Sequence, residues 1–355
     1  MNGRTLQSDY MHWAKNQRPV RYALSSSEVA HFPLDRLPFT IADLELSGAS
    51  HYRYAPLRAA IAAKEGVPAE CVVMADGTSM ANMLAMAALI GPGDELLVEH
   101  PTYEPLLAVA RFLGARIARF ARRAGTGFVL DPDAVRRGVT PATKAILITN
   151  LHNPSGALAG EDVLARIGAI GPPVLVDEVY RDAADPAPRS AARLGGNFIV
   201  TNSLTKVYGL SGLRCGWILA EPELAERIWR LNDLFAVSQA HADERLSCIA
   251  LAHLDLVSAG TRDLLAHNRA LANAFFARRA DLDCTPMTGG ITAFPKLLRG
   301  DPEWFDALLR ERYDISIVPG RWFEMPDHFR IGIGGATEMV AEGLARLGRA
   351  LDEMA

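Results

Sequence analysis

The sequence predicts an α/β fold with a mostly parallel central sheet flanked by helices, together with a smaller α+β domain drawn from both chain ends. Three observations carry this. Short apolar runs alternate with helical patterns through the middle of the chain. A nearly continuous helical stretch runs from residue 221 to about 279. A mixed segment over 288–333 and a helical pattern over 338–353 close the chain. Strands that alternate with helices form βα units, and their continuous apolar runs imply a sheet covered on both faces.

In order, the expected strands are 71–75, 95–99, 116–120, 145–149, 174–176, 198–202 and 216–219, with helical patterns at 79–89, 103–113 and 160–170 between them. The large domain is placed at 45–245. The small domain is placed at 1–44 and 246–355. A chain of 355 residues favours two domains over one simple core.

Composition narrows the class. The chain is 49% hydrophobic and 22% charged, with a net charge of −4. That balance supports a packed globular protein and argues against nucleic acid or an anionic membrane surface as partner. The longest apolar stretch, 80–90, falls short of the roughly 20 residues that span a bilayer. The first residues, MNGRTLQSDYMHWAK, contain no apolar signal-peptide core. Cys71, Cys215, Cys248 and Cys284 are widely scattered, so neither a metal site nor a disulfide framework is expected. A cytoplasmic home follows.

Ligand-binding groups in open α/β sheets sit at the carboxyl ends of the strands. Four polar segments follow strands here. They are Asp76-Gly77-Thr78-Ser79, the seven residues from Asn150 to Gly156, Asp177-Glu178-Val179-Tyr180 and Ser203-Leu204-Thr205-Lys206. They are expected to converge on one crevice. Gly77-Thr78-Ser79 opens a helix, where unpaired N–H groups make an anion site, although a plain N-cap has the same pattern. A lone lysine at a strand end is usually solvated. Lys206, however, stands among Ser203, Thr205, three glycines and Arg214, eight positions on.

That segment closely resembles the Schiff-base signature of the class I/II aminotransferases, enzymes of pyridoxal 5'-phosphate (PLP) fold type I. The resemblance spans roughly residues 45–350. It implies that Lys206 carries the cofactor, and that Ser203, Arg214, Gly77, Thr78 and Ser79 hold its phosphate. It implies that Asp177 keeps the pyridine nitrogen protonated, making the ring an electron sink. Tyr180 and Asn153, the latter in an Asn153-Pro154-Ser155-Gly156 turn, would donate to the phenolate oxygen, and Asn153 would also face substrate. Tyr103, in Pro101-Thr102-Tyr103, would stack on the ring. Arg330, in Phe329-Arg330-Ile331-Gly332, would grip the substrate α-carboxylate. Glu178 and His152 are read as structural.

One departure stands out. Arg53 occupies the place where the family has a glycine, after the tyrosine that crosses to the partner subunit's cofactor. Tyr52 is the first choice for that tyrosine and Tyr54 the second. Arg53 either reaches toward substrate or is solvated.

The expected function is transamination between an L-amino acid and a 2-oxo acid by a homodimer with shared active sites. The alternative within the same fold is a C–S lyase or another eliminating or oxidising enzyme. A metal-dependent hydrolase built on Asp177, Glu178 and His152 leaves Lys206 and Arg214 unexplained.

Overall fold

The computed structural model describes residues 5–354, so Met1 to Arg4 and Ala355 of the small-domain and N-terminal expectations lie outside the described residues. All seven expected strands form, with ends that differ by one or two residues. They are β1 (Val72–Asp76), β2 (Glu95–His100), β3 (Arg116–Ala121), β4 (Thr143–Thr149), β5 (Val174–Asp177), β6 (Phe198–Ser203) and β7 (Cys215–Leu219). They make one sheet in the order β1-β7-β6-β5-β4-β2-β3. β7 pairs antiparallel with both β1 and β6, and every other pairing is parallel.

Six strands therefore point the same way, and β7 alone runs back. Asp76, His100, Thr149, Asp177 and Ser203 all end strands at one edge. β7 begins at that same edge, directly after Arg214. The centres of the strands are wholly buried: Val72 to Ala75, Ala145 to Ile148 and Val174 to Val176 are each at most 2% exposed. These near-unbroken Val/Ile/Leu runs are what a sheet covered on both faces requires. The helix Gly77–Leu89 packs across β6 and β7 and brings its N-terminus to the functional edge.

The helical stretch resolves into Pro222–Asn232, His241–Ala252 and Leu254–Phe276. Residue 246 falls inside the second of these helices. Leu246, Ala250, Val257 and Leu265 pack into the main core with the sheet. Ala272 and Phe276 instead join a second core with Tyr22, Leu24, Phe305, Phe329, Ile331 and the closing helix Thr337–Met354. Both chain ends meet there, because Tyr22 and Ala23 pair in parallel with Ile315 and Ser316. The short helix Asp9–Lys15 and the strand Tyr22–Ala23 are too brief to stand out as periodic patterns.

Beneath the functional edge lies a buried ionic network. Arg181 donates to Glu65 at 2.6 Å, to Glu178 at 2.9 Å and to Asp182 at 3.0 Å. Lys64 and the Tyr208 hydroxyl also donate to Asp182, at 2.9 and 2.8 Å. The two cations hold the Asp182 carboxyl well below the usual range, although its burial acts in the opposite direction and is the largest single influence. The network joins the segment after β5 to the loop that carries Lys206. Removing one member leaves buried charge unpaired. Arg181→Leu is expected to cost about 3–5 kcal/mol, measured by urea denaturation of the cofactor-free protein. A loss below 1 kcal/mol would show that the network does not brace this edge.

Candidate active site

A cavity of about 500 Å³ opens at the strand ends and is lined by Thr78, Ser79, Tyr103, Asn153, Asp177, Tyr180, Lys206 and Arg214, among others. Eight of the expected site residues therefore meet in one place. Ser203 lies just beneath, 1% exposed, and its hydroxyl accepts from Thr78 Oγ1 at 2.8 Å and from the Thr205 amide at 3.2 Å.

The phosphate end is a cradle with no room for a side chain. Gly77 has φ +74, and a Cβ there would lie 2.4 Å from Arg214 Nη2. A Cβ on Gly216 would lie 2.4 Å from the Gly77 carbonyl carbon. Arg214 donates to the Asp76 carbonyl at 3.1 Å, which directs its fork across the helix N-terminus. Thr205 Oγ1 is buried without a partner. Hydroxyls, free helix N–H groups and a guanidinium at one point form an anion site, so the donor set fits the phosphate of PLP.

The opposite end is acidic. Asp177 is 7% exposed and accepts from Asn82 Nδ2 at 2.8 Å and from the Val179 amide at 3.0 Å. Burial pushes its carboxyl up to about 6. Asn82 is itself fixed by Thr201 Oγ1, which donates to its Oδ1 at 2.7 Å. Asn82 was missed from sequence; its signal was a lone amide in the otherwise apolar run Met80 to Leu89. Tyr180 is buried, which pushes its phenol up to about 12, so at neutral pH it is a donor. Lys206 Nζ lies 3.5 Å from Glu28 Oε2, and the Lys206 carbonyl accepts from the Val29 amide at 2.9 Å.

Arg330 stands one step away, 1% exposed. It donates to Asn153 Oδ1 at 3.0 Å, to the Tyr10 hydroxyl at 3.2 Å and to the Ser25 carbonyl at 3.2 Å, while its Nε has no partner. It lines an adjoining cavity of about 410 Å³ that shares Tyr103, Glu28 and Lys206 with the first. A buried guanidinium with an unused N–H fits a carboxylate ligand. Tyr10, Ser25, Ser27 and Glu28 were also missed, because the N-terminal segment shows no periodic pattern.

Three residues are not brought into the cavity. Tyr52 is 48% exposed on the outside, and its hydroxyl donates to the Asp233 carboxylate at 2.9 and 3.1 Å. Tyr54 is buried and its hydroxyl accepts from Arg245 at 2.9 Å. Arg53 pairs with Glu226 through both terminal nitrogens, at 2.6 and 2.9 Å, so it neither enters this cavity nor stands free in solvent. Its φ of +55 is left-handed, the conformation that explains the family's glycine.

The hydrolase reading fails on geometry. Glu178 is occupied by Arg181 and by the Ala191 amide, and burial pushes it up to about 7. His152 is wholly buried, with Nδ1 2.6 Å from Ser155 Oγ and Nε2 3.0 Å from the Pro101 carbonyl, and burial holds it well below its ordinary value. Neither residue lines the cavity. A separate cluster, Glu45, His51 and His241, has three potential metal-ligand atoms within 4.8 Å of one another, but Arg245 lies 3.3 Å from Glu45.

Comparison with known proteins places this geometry. The sequence matches the family described as aminotransferase class I and II over residues 41–347. Capreomycidine synthase of Streptomyces vinaceus is 32% identical over 304 residues, 83% of this chain and 78% of the relative. A probable aspartate/prephenate aminotransferase of Aquifex aeolicus is 29% identical over 341 residues, 85% and 84% of the two chains. Among solved structures, a PLP-dependent aminotransferase from Streptococcus suis superposes with a TM-score of 0.92 at 23% identity over 99% of both chains, a likeness of fold alone. The PLP-dependent cyclase OrfR superposes with a TM-score of 0.88 at 27% identity over 98% of both chains.

The Asp177 environment generates a stability prediction. The native carboxyl binds its proton more tightly than the unfolded one, whose value is near 3.9. Native stability therefore falls as pH rises from about 4 to about 6, and the full cost, on the order of 3 kcal/mol, is present above that window. Asp177→Asn in the cofactor-free protein is expected to raise the melting temperature at pH 8 and to leave it nearly unchanged at pH 4. An equal shift at both pH values would refute the electrostatic cause.

Proposed function

The chain belongs to the aminotransferase class I and II family and is a PLP-dependent transferase acting on amino acids and 2-oxo acids; from that premise we propose how its own residues divide the work. Lys206 is the amine that holds the cofactor aldehyde carbon. When bound, PLP supplies an electron sink for the pair left when a substrate bond at Cα breaks. Asp177, as a buried carboxylate, would keep the proton on the pyridine nitrogen by its negative charge. Tyr180 and Asn153 donate to the phenolate oxygen, and the Tyr103 ring covers the ring face. Gly77, Thr78, Ser79, Ser203 and Arg214 bind the phosphate.

Arg330 binds the substrate α-carboxylate and orients the Cα–H bond for removal, rather than the bond to the carboxylate. Lys206 Nζ, once displaced by the substrate amine, would take the Cα proton and return it to the former aldehyde carbon of the cofactor, two bonds from Cα. The observation that carries this reading is the convergence of Lys206, Asp177 and Arg214 on one cavity, with Arg330 tied to it through Asn153.

Two relatives are named otherwise than as aminotransferases, a synthase and a cyclase. The second reading is a C–S lyase or another eliminating or oxidising enzyme of the same fold, and in the eliminating case the same Cα proton would be removed and a substituent would then leave Cβ. One turnover separates the two. With alanine or glutamate, which carry no such substituent, an aminotransferase loses its yellow colour, yields a 2-oxo acid and recovers with a second 2-oxo acid. Elimination from a serine or cysteine derivative without any colour loss in a broad amino-acid panel would replace the aminotransferase reading.

We also propose a homodimer. Ile41, Leu46, Tyr52, Leu234, Phe235 and Val237 are between 48% and 79% exposed, on neighbouring segments tied by the Tyr52–Asp233 and Glu45–His241 bonds. An apolar patch of that kind supports an interface. Tyr52, projecting from it, suits the crossing role. The proposed domains are 45–245 for the large one and 1–44 with 246–355 for the small one, although side chains of Leu254–Phe276 contribute to both cores. The proposed setting is the cytoplasm, in keeping with four unpaired cysteines and with the finding that no described helix is long and apolar enough to cross a membrane.

Two further outcomes are expected. Borohydride reduction of the yellow protein fixes the cofactor to the peptide that contains Lys206, and a label elsewhere removes that assignment. Tyr52→Phe leaves a dimer in sedimentation but weakens cofactor retention on dialysis by about tenfold, the size of one hydrogen bond to a charged group. Unchanged retention would transfer the crossing role away from Tyr52.

A further inference from the structure

The adjoining cavity has a charge problem that an amino acid must solve. Its lining includes Lys15, Arg18, Lys206 and Arg330, together with Arg310, which Asp306 pairs at 2.9 Å, but a single carboxylate, Glu28. An α-amino acid arrives as a zwitterion. Its carboxylate has Arg330, whereas its ammonium group approaches a chamber rich in like charge. Glu28 is the one lining group that offsets this repulsion.

Position singles out the same residue. Glu28 Oε2 lies 3.5 Å from Lys206 Nζ. The reaction exchanges one amine for another at a single carbon, so the substrate nitrogen must come to where Lys206 Nζ stands. It then falls within reach of the same carboxylate. The segment is held firmly: the Val29 amide donates to the Lys206 carbonyl and the Ala30 amide to the Gly334 carbonyl, each at 2.9 Å. A Cβ on Gly334 would lie 2.3 Å from the Glu28 carbonyl oxygen, so this backbone is packed close against the strand after Arg330. Glu28 also lies 3.9 Å from the exposed His31.

We infer that Glu28 is the receptor for the substrate α-ammonium group, as Arg330 is for the α-carboxylate. Ser25, whose carbonyl accepts from Arg330, and Glu28 lie three residues apart, so one short segment fixes the distance between the two receptors. Before the exchange Glu28 pairs with the substrate ammonium. Afterwards it pairs with the freed Lys206. The inference rests on the roles proposed above for Lys206 and Arg330 and adds a specificity device, discrimination between an amino acid and its 2-oxo acid.

The test compares two ligands on the holoenzyme by calorimetry. The first is 2-aminoisobutyrate, which has an ammonium group but no Cα proton to lose. The second is pyruvate, which has the carboxylate and no ammonium group. Glu28→Gln is expected to weaken 2-aminoisobutyrate about tenfold and to leave pyruvate unchanged. Glu28→Asp should fall between the two proteins. In the half-reactions, the KM of the amino acid should rise in Glu28→Gln while that of the 2-oxo acid should not. Equal weakening of both ligands would reveal a merely structural role, and no weakening of either would remove Glu28 from recognition. A wild-type holoenzyme with affinity for neither ligand would overturn the reading of the whole site together with this one.

Discussion

A carboxylate confined at the end of a buried strand is the constraint around which this molecule is arranged. Asp177 closes β5 with two hydrogen bonds and no salt bridge among the described residues. An ionised carboxylate is costly in such a place unless a cation comes to it. The surroundings are built to make that cost worth bearing. Asn82 and Thr201 hold the carboxylate in one orientation, and Lys206 and Arg214 line the same cavity. In the proposed arrangement, a cofactor that brought a basic ring nitrogen to Asp177 and a phosphate to Arg214 would relieve both ends at once.

The sheet makes this possible by direction alone. Six strands deliver their carboxyl ends to one edge, and the single reversed strand, β7, places Arg214 at that edge by starting where the others stop. No long side chain has to travel. The close approach of Gly77 and Gly216 then brings the helix Gly77–Leu89 near enough for its N-terminus to face the same point.

Much of this was legible in the sequence, and the reason is physical. Buried strands are near-unbroken apolar runs, which made the central strands visible, and polar residues just after them could be placed at one edge. The spacing from Lys206 to Arg214 was legible through its resemblance to the family's Schiff-base segment, which here is the loop that joins β6 to β7. What stayed hidden depends on contacts distant in sequence. Tyr10 meets Arg330 across 320 positions, and Glu28 meets Lys206 from a segment with no period of its own. The charge at Arg53 suggested a substrate or solvent contact, but its surroundings supply Glu226, the Tyr52 ring and the Trp229 ring, at 5.0 and 5.2 Å from the guanidinium to the two ring centres. Pattern reveals a backbone in need of glycine; only the fold reveals what compensates when glycine is missing.

The pairing of Tyr22 and Ala23 with Ile315 and Ser316 has a consequence for biosynthesis. A ribosome releases this chain from its N-terminus, so residues 72–219, with every strand of the large sheet, emerge more than a hundred residues before Arg330. The phosphate cradle can therefore assemble while the α-carboxylate pocket still lacks its arginine. Tyr10 and Ser25 emerge well before Arg330, from which they stand 320 and 305 positions apart in sequence. Cofactor capture and substrate competence would thus be separated in time along one nascent chain.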